Sequence, residues 1–258
     1  MDIEEYTKKA YNKFGREYEK TRINRQPERA FNEFLELPCM VKTVSNIKNK
    51  RLLDIGCGSG THIKEYVKKG AEVEGIDISE TMVELARQKL PKVNFKIGSI
   101  SKLPYKEDEF DIVTASLTMN YVPDLNKAFS EVNRIMKKGG LFYYSDISPI
   151  NLAKEFKEDN EHIYYGIGYI KNKKTGKKIT LGSHWVKGVE DFEMVPGMII
   201  KNFKRPFADH LHAIVENGFE LVDFVDCKPK KEFRKYNPED YDLYSKFPAF
   251  SIYVCKKK

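Results

Sequence analysis

Short apolar runs alternate along the chain with longer stretches whose apolar residues recur every three to four positions. That rhythm predicts strands joined by crossover helices, hence a parallel sheet. Tyr6, Ala10, Phe14 and Tyr18 recur about one turn apart and predict a helix over 2–20. Phe31, Phe34 and Leu35 predict a second helix beginning after Pro27. Residues 51–55 read as the first strand. The turn Gly56-Cys57-Gly58-Ser59-Gly60 follows, then a helix marked by Ile63, Tyr66 and Val67 that stops at Gly70. Residues 71–76 read as the second strand, with Ser79 as N-cap of a helix carrying Met82, Val83, Ala86 and Leu90. Strands are predicted at 93–97 and 110–115. Between 110–115 and a fifth strand at 141–145 lies a helix capped by Asp124 and ended by Gly139-Gly140.

The rhythm changes after about residue 150. Lys171-Asn172-Lys173-Lys174-Thr175-Gly176-Lys177-Lys178, flanked by Tyr169-Ile170 and Ile179-Thr180-Leu181, predicts a β-hairpin with a basic tip. A last helix starts at Pro206, burying Phe207, Leu211, Ile214 and Val215, and ends at Gly218. His210 and His212 read as surface residues. Strands at 219–225 and 250–254 close the chain, as an antiparallel edge on the parallel sheet.

Composition narrows the class. The chain has 258 residues, 41% of them hydrophobic and 12% aromatic, enough for a substantial core. No apolar run reaches the length of a membrane span and the acidic start lacks an apolar signal region, so no membrane partner is expected. Net charge is +7, from 45 basic and 38 acidic residues. That modest excess permits nucleic acid as a partner without requiring it. Cys39, Cys57, Cys227 and Cys255 show no metal-ligand spacing, so no metal is expected, and reduced thiols fit a cytoplasmic protein.

The glycine turn carries the chemistry. Between strand and helix it lets a ligand approach backbone N–H groups, and glycine is needed where a Cβ would block the approach. The spacing is GxGxG, and a dinucleotide fingerprint would need glycine where Thr61 stands. Asp54, just before the turn, would repel a diphosphate but favours an ammonium or sulfonium group. Asp77 ends the second strand, where an acid accepts hydrogen bonds from a ribose diol. An adenosine-like ribose beside a cation describes S-adenosyl-L-methionine.

The segments Leu53-Asp54-Ile55-Gly56-Cys57-Gly58-Ser59-Gly60, Gly75-Ile76-Asp77-Ile78-Ser79-Glu80-Thr81-Met82, Leu103-Pro104-Tyr105 leading into Phe110-Asp111-Ile112-Val113, and Ile135-Met136-Lys137-Lys138-Gly139-Gly140 follow in order over roughly residues 45–147. In this they resemble the class I S-adenosylmethionine-dependent methyltransferases of small-molecule type. The resemblance implies that Gly56, Cys57, Gly58 and Gly60 hold the methionine moiety, with Cys57 a small packing residue and no nucleophile. It places Asp54 near the amino group, Asp77 on the ribose hydroxyls, Ile78 and Met82 beside the adenine, and the Ser116 backbone at the methionine end. The family often has Gly-Asp after the third strand. This chain has Gly98-Ser99-Ile100, leaving Ser99 and the Ile100 N–H to face the adenine. Arg205-Pro206-Phe207, Gly218-Phe219 and Pro248-Ala249-Phe250 resemble, more loosely, a subset of the same enzymes.

The expectation is an α/β, Rossmann-like, doubly wound seven-stranded sheet, mostly parallel with an antiparallel last strand. A helical cap covers 1–45, the cofactor-binding core 46–150, an inserted substrate lid 151–205, and a completing helix and two strands 206–258. The expected activity is methyl transfer to a small-molecule acceptor, with S-adenosyl-L-homocysteine as product and positioning as the main source of catalysis. The assembly is a monomer or homodimer. Substrate-pocket candidates are Tyr18, Tyr121, His184 and Arg205. Tyr11 and Tyr18 either close over the cofactor or form an ordinary amphipathic stripe. His184 is either a general base or a solvated histidine, and Arg205 either binds an anionic group or neutralises a helix flank. The alternatives are a tRNA or rRNA methyltransferase and a non-catalytic S-adenosylmethionine-binding module. The strand-four end, Ser116-Leu117-Thr118-Met119-Asn120-Tyr121, lacks the Asn/Asp-Pro-Pro-aromatic signature of amino-nitrogen methylation.

Overall fold

The computed structural model describes residues 3–23, 31–158, 163–172, 174–185 and 187–258. In chain order, α1 (Ile3–Ile23) precedes a π-turn (Asn32–Glu36) that runs into α2 (Leu37–Thr43). The alternating core follows: β1 (Arg51–Ile55), α3 (Thr61–Lys68), β2 (Glu72–Asp77), α4 (Glu80–Lys89), β3 (Asn94–Ile97), β4 (Phe110–Ser116), a 3-10 turn (Met119–Tyr121), α5 (Leu125–Ile135) and β5 (Met136–Ile147). After α6 (Pro149–Leu152) come β6 (Glu155–Glu158), β7 (Ile163–Gly166), β8 (Gly168–Lys171), β9 (Lys178–Leu181), β10 (Gly188–Val195) and β11 (Met198–Lys204). The chain ends with α7 (Phe207–Glu216), β12 (Phe219–Asp226), a 3-10 turn (Lys231–Lys235), α8 (Pro238–Tyr244) and β13 (Phe250–Lys257).

Seven strands form one sheet in the order β12-β13-β5-β4-β1-β2-β3. β13 runs antiparallel to both β5 and β12, while β5, β4, β1, β2 and β3 are mutually parallel. A parallel strand is buried on both faces, and β1 shows it. Leu53 and Ile55 pack into a core with Phe129, Phe142, Tyr144 and Phe219, whereas Leu52 faces the other way onto Met40, Val44 and Tyr66. The strand order reverses between the parallel neighbours β1 and β4, so the connections that follow them diverge and leave a crevice at their carboxyl ends.

The N-terminal cap is stapled over that crevice. Gly15 lets α1 approach α4, because a Cβ there would press on the Met82 sulfur at 2.9 Å. Asn12 accepts from the Ser79 hydroxyl at 2.7 Å, and its carbonyl accepts from Thr81 Oγ1 at 2.9 Å. Ser79 caps α4 by accepting from Met82 N, and Asp124 caps α5 by accepting from Lys127 N, both as expected. Residues 151–205 form three two-stranded antiparallel hairpins, β6–β7, β8–β9 and β10–β11. The basic-tipped hairpin is among them, with Lys171 paired to Lys178.

Several expectations need correction. α5 stops at Ile135, not at Gly139-Gly140, because Met136 is already extended and starts β5. The two glycines lie inside that strand, where its register against β4 shifts. A Cβ on Gly140 would sit 2.9 Å from two backbone carbonyls. On α7 the buried stripe is centred on Ile214, with Phe207, His210 and Leu211 at helical spacing. His210 is therefore buried, and Val215, one step past the stripe's edge, is 64% exposed. Sequence patterning missed the β10–β11 hairpin, turned at Pro196-Gly197 with Gly197 at φ +79°, and missed α8, capped by Asn237. The helix start after Pro27 lies outside the described residues.

Candidate functional site

The crevice opens into a cavity of about 680 Å³, within the range of sites that bury small ligands. Gly56, Cys57, Gly58, Asp77, Ile78, Met82, Ser99, Ile100 and Ser116 all line it, as do Tyr18 and Tyr121. The turn works because Gly56, Gly58 and Gly60 adopt φ of +65°, +52° and +83°, a region costly for other residues. A Cβ on Gly56 would collide with the Thr118 side chain.

Asp77 ties the turn to β2. Its Oδ2 accepts from Gly58 N at 2.8 Å and its Oδ1 from Ser79 N at 2.9 Å. Burial raises the Asp77 carboxyl pKa, and those two backbone donors oppose the rise. The Gly58 N–H that a diphosphate would need is therefore already held by a carboxylate, which disfavours an anion here. Each carboxylate oxygen keeps a further lone pair for a diol.

Four of the named residues do not line the cavity. Asp54 lies beneath the turn, 1% exposed, accepting from Thr114 Oγ1 at 2.6 Å. Burial pushes its pKa up to about 6, against the lowering effects of His62 and Thr114. Gly60 N-caps α3 and serves packing, with a Cβ reaching Leu90 at 3.0 Å. Arg205 donates to the backbone carbonyls of Met119 (3.3 Å), Val122 and Pro123 (3.2 Å). Its fork satisfies a 3-10 turn's end and fastens the loop after β4. His184 is exposed and meets Trp185 edge-on at 5.2 Å.

Other lining residues escaped the sequence reading. Glu4, from the first turn of α1, accepts from Ser99 Oγ at 2.8 Å and from the Ser101 hydroxyl. The carboxylate missing after β3 thus arrives from another element. His62, on the first turn of α3, meets Glu36 Oε2 through Nε2 at 2.9 Å. Ser145 Oγ donates to Glu36 Oε1 at 2.7 Å. Burial favours neutral Glu36, but the His62 charge and the hydrogen bonds from His62 and Ser145 outweigh it and hold its pKa down. Burial likewise opposes charge on His62, and Glu36 overcomes it and raises the imidazole pKa. Arg22 lines the same end, paired with Glu33 at 2.8 Å, its buried Nε without a partner among the described residues. At the other end, the Tyr11 hydroxyl donates to that of Tyr121 at 3.3 Å, and Asn120 donates to Asn202 Oδ1 at 3.0 Å. Burial drives the Tyr11 pKa well up, so it remains a phenol. Glu36 had a signal, a lone acid inside Phe34-Leu35-Glu36-Leu37. Glu4 had none, since its partners lie far along the chain.

No group of three or more metal-ligating side chains occurs among the described residues. No helix among them is long and apolar enough to cross a membrane.

A family model described as "Methyltransferase domain" matches residues 46–191. The uncharacterised methyltransferase YcgJ of Bacillus subtilis is 33% identical over 124 residues, 46% of this chain and 49% of the relative. Demethylmenaquinone methyltransferase of Renibacterium salmoninarum is 30% identical over 109 residues, 42% and 46% of the two chains. The chain thus spans about half the length of these curated relatives. Among solved structures, an S-adenosylmethionine-dependent methyltransferase of Mesorhizobium loti superposes with a TM-score of 0.68 at 23% identity, covering 85% of this chain and 96% of the other. That likeness supports the fold. With more than half of its length matched by the family model, on a sheet of this order and with a glycine turn after β1, the chain belongs to the class I S-adenosylmethionine-dependent methyltransferases.

Proposed function

We propose that this chain transfers a methyl group from S-adenosylmethionine to a small-molecule acceptor. The observation that carries the reading is the set of charges in and beneath the cavity wall: Asp77 at the end of β2, Asp54 beneath the turn, Glu4 at the Ser99 end and Arg22 at the His62 end. A zwitterionic amino acid joined to adenosine through a sulfonium matches that set, whereas a dinucleotide's diphosphate opposes it. Asp77 accepts from the ribose hydroxyls. Ile78 and Met82 flank the adenine, and Glu4 accepts from its amino group where the family's post-β3 acid is missing. Asp54, beneath the turn and off the cavity wall, acts on the ammonium through its charge, and Arg22 faces the carboxylate. The acceptor lies beyond the methyl group, against Tyr11, Tyr121, Asn120 and Met194.

When bound, S-adenosylmethionine supplies a sulfonium-activated methyl group and departs as neutral S-adenosylhomocysteine, leaving little charge to stabilise. The protein's work is therefore to orient the acceptor and exclude water. α1 and the β10–β11 hairpin do this as a lid, their Tyr18, Met194, Val195, Met198 and Ile200 packed together over Met82. The relative named for demethylmenaquinone supports a small-molecule acceptor.

Thermal shift with S-adenosylmethionine, S-adenosylhomocysteine, NAD and NADP tests the cofactor. At 100-fold over Kd a ligand contributes about 2.7 kcal/mol, a rise of roughly 5–10 °C at this length. The rise is expected with the two sulfur ligands only. A rise with NAD alone, or with none at millimolar concentration, overturns the reading.

A further inference from the structure

The β8–β9 hairpin is a two-stranded sheet on its own. Such a ribbon is marginal in water unless a face is covered. Its register sets Ile170 opposite Ile179 and Gly168 opposite Leu181 on one face, with Lys171 opposite Lys178 on the other. Leu181 is buried, but Ile179 is 47% exposed. Ile167, just before β8, is 56% exposed, and its backbone lies next to Gly182, where a Cβ would collide with the Ala153 carbonyl at 2.5 Å. Three residues past Gly182 stands Trp185, 79% exposed and the only tryptophan in the chain. At the tip, Lys174 and Lys177 flank the turn beside Lys171 and Lys178. Among the described residues no ion pair neutralises Lys171, Lys174 or Lys177.

Exposed isoleucines on one face of the ribbon, lysines at its tip and an exposed tryptophan past its root supply the two kinds of group a lipid-interface site uses. The indole and branched aliphatics enter the headgroup boundary while the lysines meet anionic headgroups. Nucleic acid would use the lysines and could stack on the indole, but it has no use for exposed isoleucines. We propose that the β8–β9 hairpin and Trp185 dock this protein peripherally on an anionic lipid surface. This mode needs no membrane-spanning helix, so the absence of an apolar span does not bear on it. The hairpin's root joins the cavity wall. Gly182 N donates to Glu155 Oε2 at 3.0 Å, Ser183 N donates to Ala153 O at 2.9 Å, and Lys154 and Glu155 line the cavity. Docking there sets the mouth of the cavity beside the lipid.

The test needs no cofactor or methyl acceptor, so it stands or falls separately from methyl transfer. The full chain is titrated with vesicles of phosphatidylcholine alone and with about one-third phosphatidylglycerol, following Trp185 emission and co-sedimentation. With anionic vesicles the emission should shift to the blue and the protein should sediment. Neutral vesicles should do neither, and 0.5 M salt should weaken the effect. The K174E/K177E double variant, at an exposed tip where folding is not at stake, should bind at least about tenfold more weakly. Absence of sedimentation at low salt overturns the proposal. So does binding with no Trp185 shift, or binding undiminished in the double variant. A Trp185 response to a polyuridylate probe but to no vesicle assigns the hairpin to nucleic acid instead.

Discussion

If Asp54 acts through its charge on the ammonium of the bound cofactor, affinity must depend on pH in one direction. Burial holds the Asp54 carboxyl at a pKa of about 6 in the free protein. A neighbouring cation favours the ionised form and lowers that value in the complex, so binding releases a proton wherever Asp54 is protonated beforehand. Affinity is then complete above pH 7 and lost as pH falls through 6. With a pKa of 6, about a tenth of the molecules are ionised at pH 5 and about nine-tenths at pH 7, so affinity should fall roughly tenfold between them. S-adenosylhomocysteine carries the same ammonium and does not turn over, which suits it to calorimetry at pH 5, 6, 7 and 8. Repeating the titration in buffers of different ionisation enthalpy counts the proton released. His62 lies near Asp54 and its imidazole pKa is raised, so the D54N variant is needed to isolate the Asp54 contribution. That variant should bind about tenfold more weakly at pH 7.5, the loss of a charge acting from beneath the turn, with most of the pH slope gone. Wild-type affinity constant within threefold from pH 5 to 7.5, or a D54N slope as steep as wild type, refutes the placement.

Three further outcomes follow from the geometry. Glu4→Gln should weaken S-adenosylhomocysteine binding several-fold while leaving an analogue with a keto group at the adenine 6-position unaffected; equal loss for both ligands contradicts the adenine role. Gly56→Ala forces an alanine to φ +65° against the Thr118 side chain, so urea unfolding should show about 1–3 kcal/mol of lost stability; an unchanged midpoint would show that the turn yields. Burial raises the Asp146 carboxyl from 3.8 to about 7. The fold therefore binds a proton that the unfolded chain releases, and stability is lost as pH rises from 4 to 7, by up to about 4 kcal/mol. Asp146→Asn should gain about 2–4 kcal/mol at pH 8 and little at pH 4, and an equal gain at both would point to packing.

The core was legible because its signals are contiguous. The glycine turn, the Ser79 and Asp124 caps and the two-sided apolar strands each occupy a few adjacent residues, and each governs its own local backbone. Gly139-Gly140 misled because paired glycines after a helical pattern mark a helix end as readily as a strand bulge; only the β4 register decides. His210 was hidden by polarity, since a stripe through Phe207, Leu211 and Ile214 also contains position 210. Pro196-Gly197 and Asn237-Pro238 were usable turn and cap signals that announced the missed elements. The Glu4–Ser99 and His62–Glu36–Ser145 contacts have no local signature. They join residues 95, 26 and 109 positions apart, and exist only once α1, the π-turn and the sheet have packed.

That distribution bears on how the site is built. α1 reaches both ends of the cavity, with Glu4 at Ser99 and Ser101 and Tyr11 at Tyr121. It is one continuous helix over Ile3–Ile23, so these side chains move as a unit. Its polar ties to α4 are the part-buried bonds of Asn12 to Ser79 and Thr81 and exposed, individually weak pairs such as Arg16 to Glu84. Its apolar hold is the patch of Phe14 and Tyr18 against Met82 and the β10–β11 hairpin. A ligand that engages Glu4 therefore biases the whole helix toward the closed arrangement, which also completes the wall at Tyr11 and Tyr121. On the proposed roles, cofactor and acceptor should favour each other's binding, with coupling equal in both directions by linkage. The departure after β3 acquires a physical sense on this view. Had the acid been on the β3 turn, it would read the cofactor without touching the lid; placed on α1, the proposed role ties the acceptor wall at Tyr11 and Tyr121 to the element that reads the cofactor.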